Sequence, residues 1–170
     1  MAKVLIIVGS DSDLPIIKGA VDALEKLGIG YDLKISSAHR VPDKTANLAK
    51  TAKDKGFSVI IAGAGMAAHL PGVVAAYSTL PVIGVPIKSG ALDGIDALYS
   101  IAQMPKGIPV ATVAVNGAFN AGILAGQIIG LSDDKVLNAL RDFKESMSND
   151  INNKDEKLQK IGLNAYINSR

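Results

Sequence analysis

The chain has 170 residues, 48% hydrophobic and 20% charged, the make-up of one globular domain able to bury a sizeable core. Its 18 basic and 16 acidic residues leave a formal net charge of +2, too weak a positive field to hold nucleic acid or an anionic membrane surface. Without cysteine there is no disulfide and no thiolate zinc site, and the apolar part of "MAKVLIIVGS" is too short for a signal peptide, which points to the cytoplasm.

Residues 3–8, "KVLIIV", form a β-branched and Leu-rich run that ends at Gly9 and reads as a buried parallel strand. From Pro15 onward, Ile16, Ile17, Ala20, Val21, Leu24 and Leu27 recur at helical spacing until Gly28 and Gly30 end the run. The unit then repeats as a strand over 31–35, a loop over 36–41, a helix from Pro42 to about Lys55, a strand over 57–62 and the loop "GAGMAAHLPG". Strands over 81–85 and 109–115 flank a helix near 94–103. This alternation predicts an α/β fold with a parallel sheet, helices on both faces, and ligands at the carboxyl ends of the strands.

Residues 56–87 and 107–132 contain no Asp, Glu, Lys or Arg, but their Gly, Pro, His and Asn residues argue against membrane spans and for elements buried on more than one side. In "NAGILAGQIIG", Ala121, Gly122, Ala125 and Gly126 let another backbone come close, either within the chain or in a neighbouring copy. So much small, uncharged surface predicts a homo-oligomer. After Gly130, "SDDKVLNALRDFKESM" predicts an amphipathic helix capped by Ser132, with Val136, Leu137, Leu140, Phe143 and Met147 on one face. Residues 149–157 read as a solvated linker, and Leu158, Ile161 and Ala165 as a short last helix, so that a core over 1–130 carries a helical extension over 131–170.

Four loops carry candidate chemistry. The first, "GSDSDLP", sets Ser10, Ser12 and Asp13 between a strand end and a helix N-terminus, where backbone N–H groups and the helix dipole suit a phosphate. The same residues are also favoured helix caps. The loop has neither the G-x-G-x-x-G nor the G-x-x-x-x-G-K-[ST] spacing, which leaves a mononucleotide or sugar phosphate as its natural ligand. In the second loop, Arg40 offers a planar fork for a phosphate and His39 a group that moves a proton near neutral pH, or else an ordinary loop histidine beside a surface charge. The third, "GAGMAAHLPG", brings small residues and His69 to a helix start; the fourth, "PIKSGALDG", offers Lys88, Ser89 and Asp93, of which the two charges read as solvated. Taken together, the loops point to a small anionic ligand and proton transfer by His39.

Read jointly, "GSDSD", "SAHRVPDK", "GAGMAAHLPG", "PVIGVPIKSGALDGIDALYSIAQMPKGIPVATVAV" and "NAGILAGQI" resemble the N5-carboxyaminoimidazole ribonucleotide mutase family of bacterial purine biosynthesis, from about residue 4 to residue 130. The resemblance implies a flavodoxin-like three-layer α/β/α sandwich, an octamer, and no metal or organic cofactor. It implies a ribonucleotide substrate whose carboxyl group moves from the exocyclic nitrogen to ring carbon 4 through trapped carbon dioxide. It also implies His39 as general acid and base, with Ser10, Ser12 and Arg40 at the phosphate and Asp13 at the ribose. Ser37, Ala64, Gly65 and His69 join them as substrate-binding positions, and Gly63 and Ala67 belong to the matching third loop. "AAHLPG" fits the mutase branch better than the related carboxylase branch, which uses free carbon dioxide. Two departures from the family pattern stand out: Met66 where many relatives have Gly, and an "AVNGAFNA" two residues shorter, in which Asn116 and Phe119 are expected to reshape a subunit contact or the pocket rim.

Overall fold

The computed structural model describes residues 3–169. Strands β1 (Lys3–Val8), β2 (Gly30–Ile35), β3 (Phe57–Gly65), β4 (Val82–Ile87) and β5 (Ala111–Thr112) form one sheet. All its pairings are parallel and the strand order is β2-β1-β3-β4-β5. This is the flavodoxin-like order, whose direction reverses between β1 and β3. The alternating run of β1 explains why the sheet needs helices on both sides: Val4, Ile6 and Val8 join one core, Leu5 and Ile7 the other, and all five are buried. Helices α1 (Leu14–Lys26) and α5 (Ala118–Gly130) cover the first face, with α6 (Asp134–Ile161) behind α5. On the second face lie α2 (Pro42–Thr51), α3 (Leu70–Tyr77) and α4 (Ile95–Ala102), and α7 (Leu163–Asn168) ends the described chain.

Register places the loops. Val8 pairs with Ile35 on one side and with Gly63 on the other, so three strands reach the same rim together. The second loop is then pinned by Ser36, which is 1% exposed. Its N–H donates to the Val8 carbonyl at 2.8 Å, and its hydroxyl meets Thr45 Oγ1 of α2 at 2.8 Å. A buried hydroxyl pair of this kind fixes where the chain turns from β2 into α2.

Four expectations from sequence change. β3 runs on through Gly63, Ala64 and Gly65, so these are strand residues at the rim and not part of a loop. The strand expected over 109–115 shrinks to Ala111–Thr112. Val113 and Asn116 still donate to the Gly84 and Pro86 carbonyls of β4, but Asn116 at φ 59° breaks the ladder. The small residues of α5 meet α1 within the chain: a Cβ on Gly122 would lie 2.6 Å from Ala23 Cβ and 2.7 Å from the Ala20 carbonyl. That stripe therefore gives no argument for a subunit contact. Residues 149–157 are helix, not linker, inside an α6 of 28 residues that ends at Gly162 with φ 76°. The segment is polar and exposed but has no Gly or Pro to break it, and Asp150–Lys154 and Asp155–Gln159 pair one turn apart.

The cap of α6 moves as well. Asp133, not Ser132, accepts from the backbone N–H groups of Lys135 at 3.0 Å and Val136 at 3.4 Å. Asp133→Ala is expected to cost about 1 kcal/mol in urea unfolding, with Ser132→Ala within about 0.5 kcal/mol of wild type.

Candidate active site

The rim of β1, β2 and β3 opens into a cavity of about 490 Å³. Ser10, Ser12, Asp13, Ser37, His39, Arg40, Ala64, Gly65 and His69 all line it, so every site residue expected from sequence reaches one hollow. Its size suits a small ligand held at a topological switch point.

Loop one closes on itself. Asp13 Oδ2 accepts from Ser10 N–H at 3.1 Å, and Ser10 Oγ accepts from Ser12 N–H at 3.4 Å. The capping role of these residues is real, and it presents them to the cavity in a fixed order. Burial pushes the Asp13 carboxyl above the ordinary 3.8, while backbone N–H groups of Ser10 and Gly9 act the other way. Arg40 reaches across from the second loop and donates from Nη2 to the Gly9 carbonyl at 3.2 Å. The fork is thus parked on the start of loop one. Ser37 Oγ accepts from Arg40 N–H at 3.3 Å, which leaves the hydroxyl proton of Ser37 free to be donated.

His39 is not a lone loop histidine. Its ring stacks on His69 with centroids 3.7 Å apart and planes 29° from parallel. His69 sits where β3 hands over to α3 through a tight loop: Ala68 N–H donates to the Met66 carbonyl and His69 N–H to the Ala67 carbonyl, both at 2.8 Å. Met66 accommodates that turn at φ 53°, in the left-handed region that Gly occupies at no steric cost. The departure noted in sequence therefore falls on a strained residue at the cavity wall.

Two stacked imidazoles cannot both carry charge cheaply. Desolvation, and then the like charge of His39, hold the His69 imidazole below its ordinary 6.5. The native state then binds fewer protons than the unfolded chain just below that value, so stability is present above pH 6.5 and is lost as pH falls below it. Urea midpoints at about pH 5.5 and about pH 7.5 are expected to differ more for the wild type than for His69→Gln.

Sequence reasoning left several lining positions without a role. Met66 and Leu70 line the wall, and Ser89 comes in from the fourth loop. Lys88 and Asp93 of that loop pair with each other at 3.0 Å on the surface, as solvated charges should. Asn116 holds the loop in place by accepting from Lys88 N–H at 2.9 Å; neither Asn116 nor Phe119 lines the cavity. Phe119 packs against Phe143 instead, with ring centroids 5.9 Å apart.

Comparison with known proteins places the chain in a family. The chain is 51% identical to the N5-carboxyaminoimidazole ribonucleotide mutase of Thermotoga maritima over 100% of its own length and 99% of that relative. It is also 52% identical over 161 residues to the phosphoribosylaminoimidazole carboxylase of Schizosaccharomyces pombe, covering 95% of this chain and 29% of that longer protein. The crystal structure of Treponema denticola PurE superposes with a TM-score of 0.85 at 30% identity, over 93% of this chain and 99% of that one. The family model described as AIR carboxylase matches residues 3–150, and the chain belongs to the AIR carboxylase family.

Proposed function

We propose that the chain is an isomerase of purine (IMP) biosynthesis acting on N5-carboxyaminoimidazole ribonucleotide, the compound in the names of its Thermotoga and Pyrococcus relatives. Its product is 4-carboxy-5-aminoimidazole ribonucleotide. The observation that carries the reading is the meeting of three strand ends at one cavity, whose lining joins Ser10, Ser12, Asp13 and Arg40 with a stacked histidine pair. Ser10, Ser12 and the Arg40 fork hold the phosphate, the Asp13 carboxylate accepts from the ribose hydroxyls, and Ser37 donates its free proton nearby. Ala64, Gly65 and His69 wall the space for the heterocycle and for carbon dioxide.

His39 carries the proton. As the bond between the exocyclic nitrogen and the carboxyl carbon breaks, its electron pair returns to nitrogen, which takes a proton from His39, and carbon dioxide is set free in the cavity. Ring carbon 4 then attacks that carbon dioxide, and its hydrogen leaves as a proton to His39, which ends as it began. No metal and no organic cofactor enters the scheme. Holding carbon dioxide against the ring replaces a bimolecular encounter by a local one.

The working form is a cytoplasmic homo-octamer. Met147, Ile151, Leu163 and Ile167 support association, since they are 46%, 62%, 64% and 58% exposed on α6 and α7. No helix among the described residues is long and apolar enough to cross a membrane.

The relatives named as carboxylases favour a second reading, addition of free carbon dioxide to the aminoimidazole ribonucleotide. Substrate choice separates the two. Product is expected, by absorbance, from the carbamate ribonucleotide without added bicarbonate. A rate that rises with bicarbonate on the aminoimidazole ribonucleotide, with none on the carbamate, would replace the mutase by the carboxylase. Saturable binding of either ribonucleotide by the folded protein, with no product, would replace both by a sensor.

A further inference from the structure

The polar side chains of the cavity are unevenly spread. The first two loops supply its serines, Asp13, Arg40 and His39, whereas β3, the turn after it and the start of α3 supply Ala64, Gly65, Met66, Ala67, Ala68 and Leu70, with His69 stacked on His39. One other hydroxyl comes from Ser89. Its Oγ is buried and has no hydrogen-bond partner among the described residues. An orphaned buried hydroxyl costs stability, so native proteins keep few of them.

This hydroxyl is also deliberately accommodated. A Cβ on Gly65 would lie 2.2 Å from Ser89 Oγ and 3.0 Å from the Ile87 carbonyl, so only Gly at the end of β3 leaves the hydroxyl its place. Asn116 holds the adjacent Lys88 N–H at 2.9 Å, which fixes the backbone from which Ser89 projects. An unsatisfied donor beside Gly65, on a residue of the cavity wall, can take a ligand oxygen.

We propose that Ser89 is a substrate-contacting residue whose hydroxyl donates to an oxygen of the migrating carboxyl group, and that it retains the carbon dioxide between its release and its recapture. The proposal rests on the mutase reading. Ser89 exchanges no proton and forms no bond; it supplies a hydrogen bond to the carboxylate before cleavage and after recapture, and to the neutral molecule between.

The test follows the carbon. Wild type and Ser89→Ala are given unlabelled carbamate ribonucleotide in bicarbonate labelled with carbon-13, and label in the product and free aminoimidazole ribonucleotide are measured. Wild type is expected to keep its own carbon. Ser89→Ala is expected to lose about ten- to a hundredfold in kcat/KM, to incorporate label and to release aminoimidazole ribonucleotide. Its melting temperature should equal or exceed that of wild type, because an orphaned hydroxyl has been removed. Ser89→Cys, near the same size with a weak donor, is expected to leak in the same way and keeps the test alive should the alanine variant fold poorly. Unchanged kcat/KM and label content in a folded variant would overturn the role of Ser89 alone. A lower melting temperature with unchanged partitioning would make Ser89 structural. Failure of wild type to convert the carbamate would instead overturn the mutase reading.

Discussion

Replacing His39 with Asn is expected to lower kcat by about 10²–10⁴-fold while the protein folds and binds the ribonucleotide as wild type does. Asparagine keeps hydrogen-bonding atoms at the cavity wall but cannot hold a proton near neutral pH. Ser10, Ser12, Asp13 and Arg40, the groups proposed to hold the phosphate and ribose, line the cavity and are unchanged, so substrate affinity should survive. Steady-state kinetics, circular dichroism and equilibrium titration with the ribonucleotide check the three parts separately. Turnover within tenfold of wild type would remove His39 from proton transfer. Loss of binding together with turnover would make it a binding group.

The second large effect lies in the scaffold. Gly122→Val is expected to destabilise the protein by about 3 kcal/mol, near the upper end for an overpacked core. The contacts that a Cβ would make, at 2.6 Å to Ala23 and 2.7 Å to the Ala20 carbonyl, involve the rigid α1 backbone and a methyl that cannot rotate away. At about 2–4 °C per kcal/mol for a domain of this size, the melting temperature should fall by about 6–12 °C. Leu131→Ala, at a side chain 88% exposed, is expected to stay within about 0.5 kcal/mol of wild type. A Gly122→Val protein as stable as wild type would mean that α1 and α5 are not pressed together as described.

The contrast between β1 and the C-terminal third shows what physical signal a sequence carries. "KVLIIV" is apolar on both faces because helices cover both faces, so burial itself writes the strand into the sequence. The loops after β1 and β2 were legible for a related reason: a parallel sheet with neighbouring strands must bring them to one rim, and Val8 pairs with both Ile35 and Gly63. Residues 149–157 carried no such signal. Their side chains face solvent all round, and the helix there is held by local pairs and continuity with the packed part of α6, neither of which leaves an apolar stripe.

The site divides in the same way. Ser10, Asp13, Arg40 and His39 stand out as polar residues in short loops, and the cavity gathers all four. Which residues of the third and fourth loops meet them is not legible in the same way. His69 is 30 positions from His39, and only the crossover from β2 through α2 to β3 brings the rings to 3.7 Å. Ser89 lies in a loop whose neighbouring charges, Lys88 and Asp93, are the more conspicuous residues and play no part in the cavity. The left-handed turn at Met66 is invisible in sequence, because methionine gives no sign of it.

The central claim is a matter of position: one imidazole within reach of both atoms between which the carboxyl group moves. A crystal structure of the His39→Asn protein with the carbamate ribonucleotide bound tests it most directly. The phosphate is expected against Arg40 and the hydroxyls of Ser10 and Ser12, with ring carbon 4 and the exocyclic nitrogen both within about 3–3.5 Å of the side chain at position 39. A phosphate bound elsewhere, or a heterocycle turned so that carbon 4 faces away from residue 39, would contradict it.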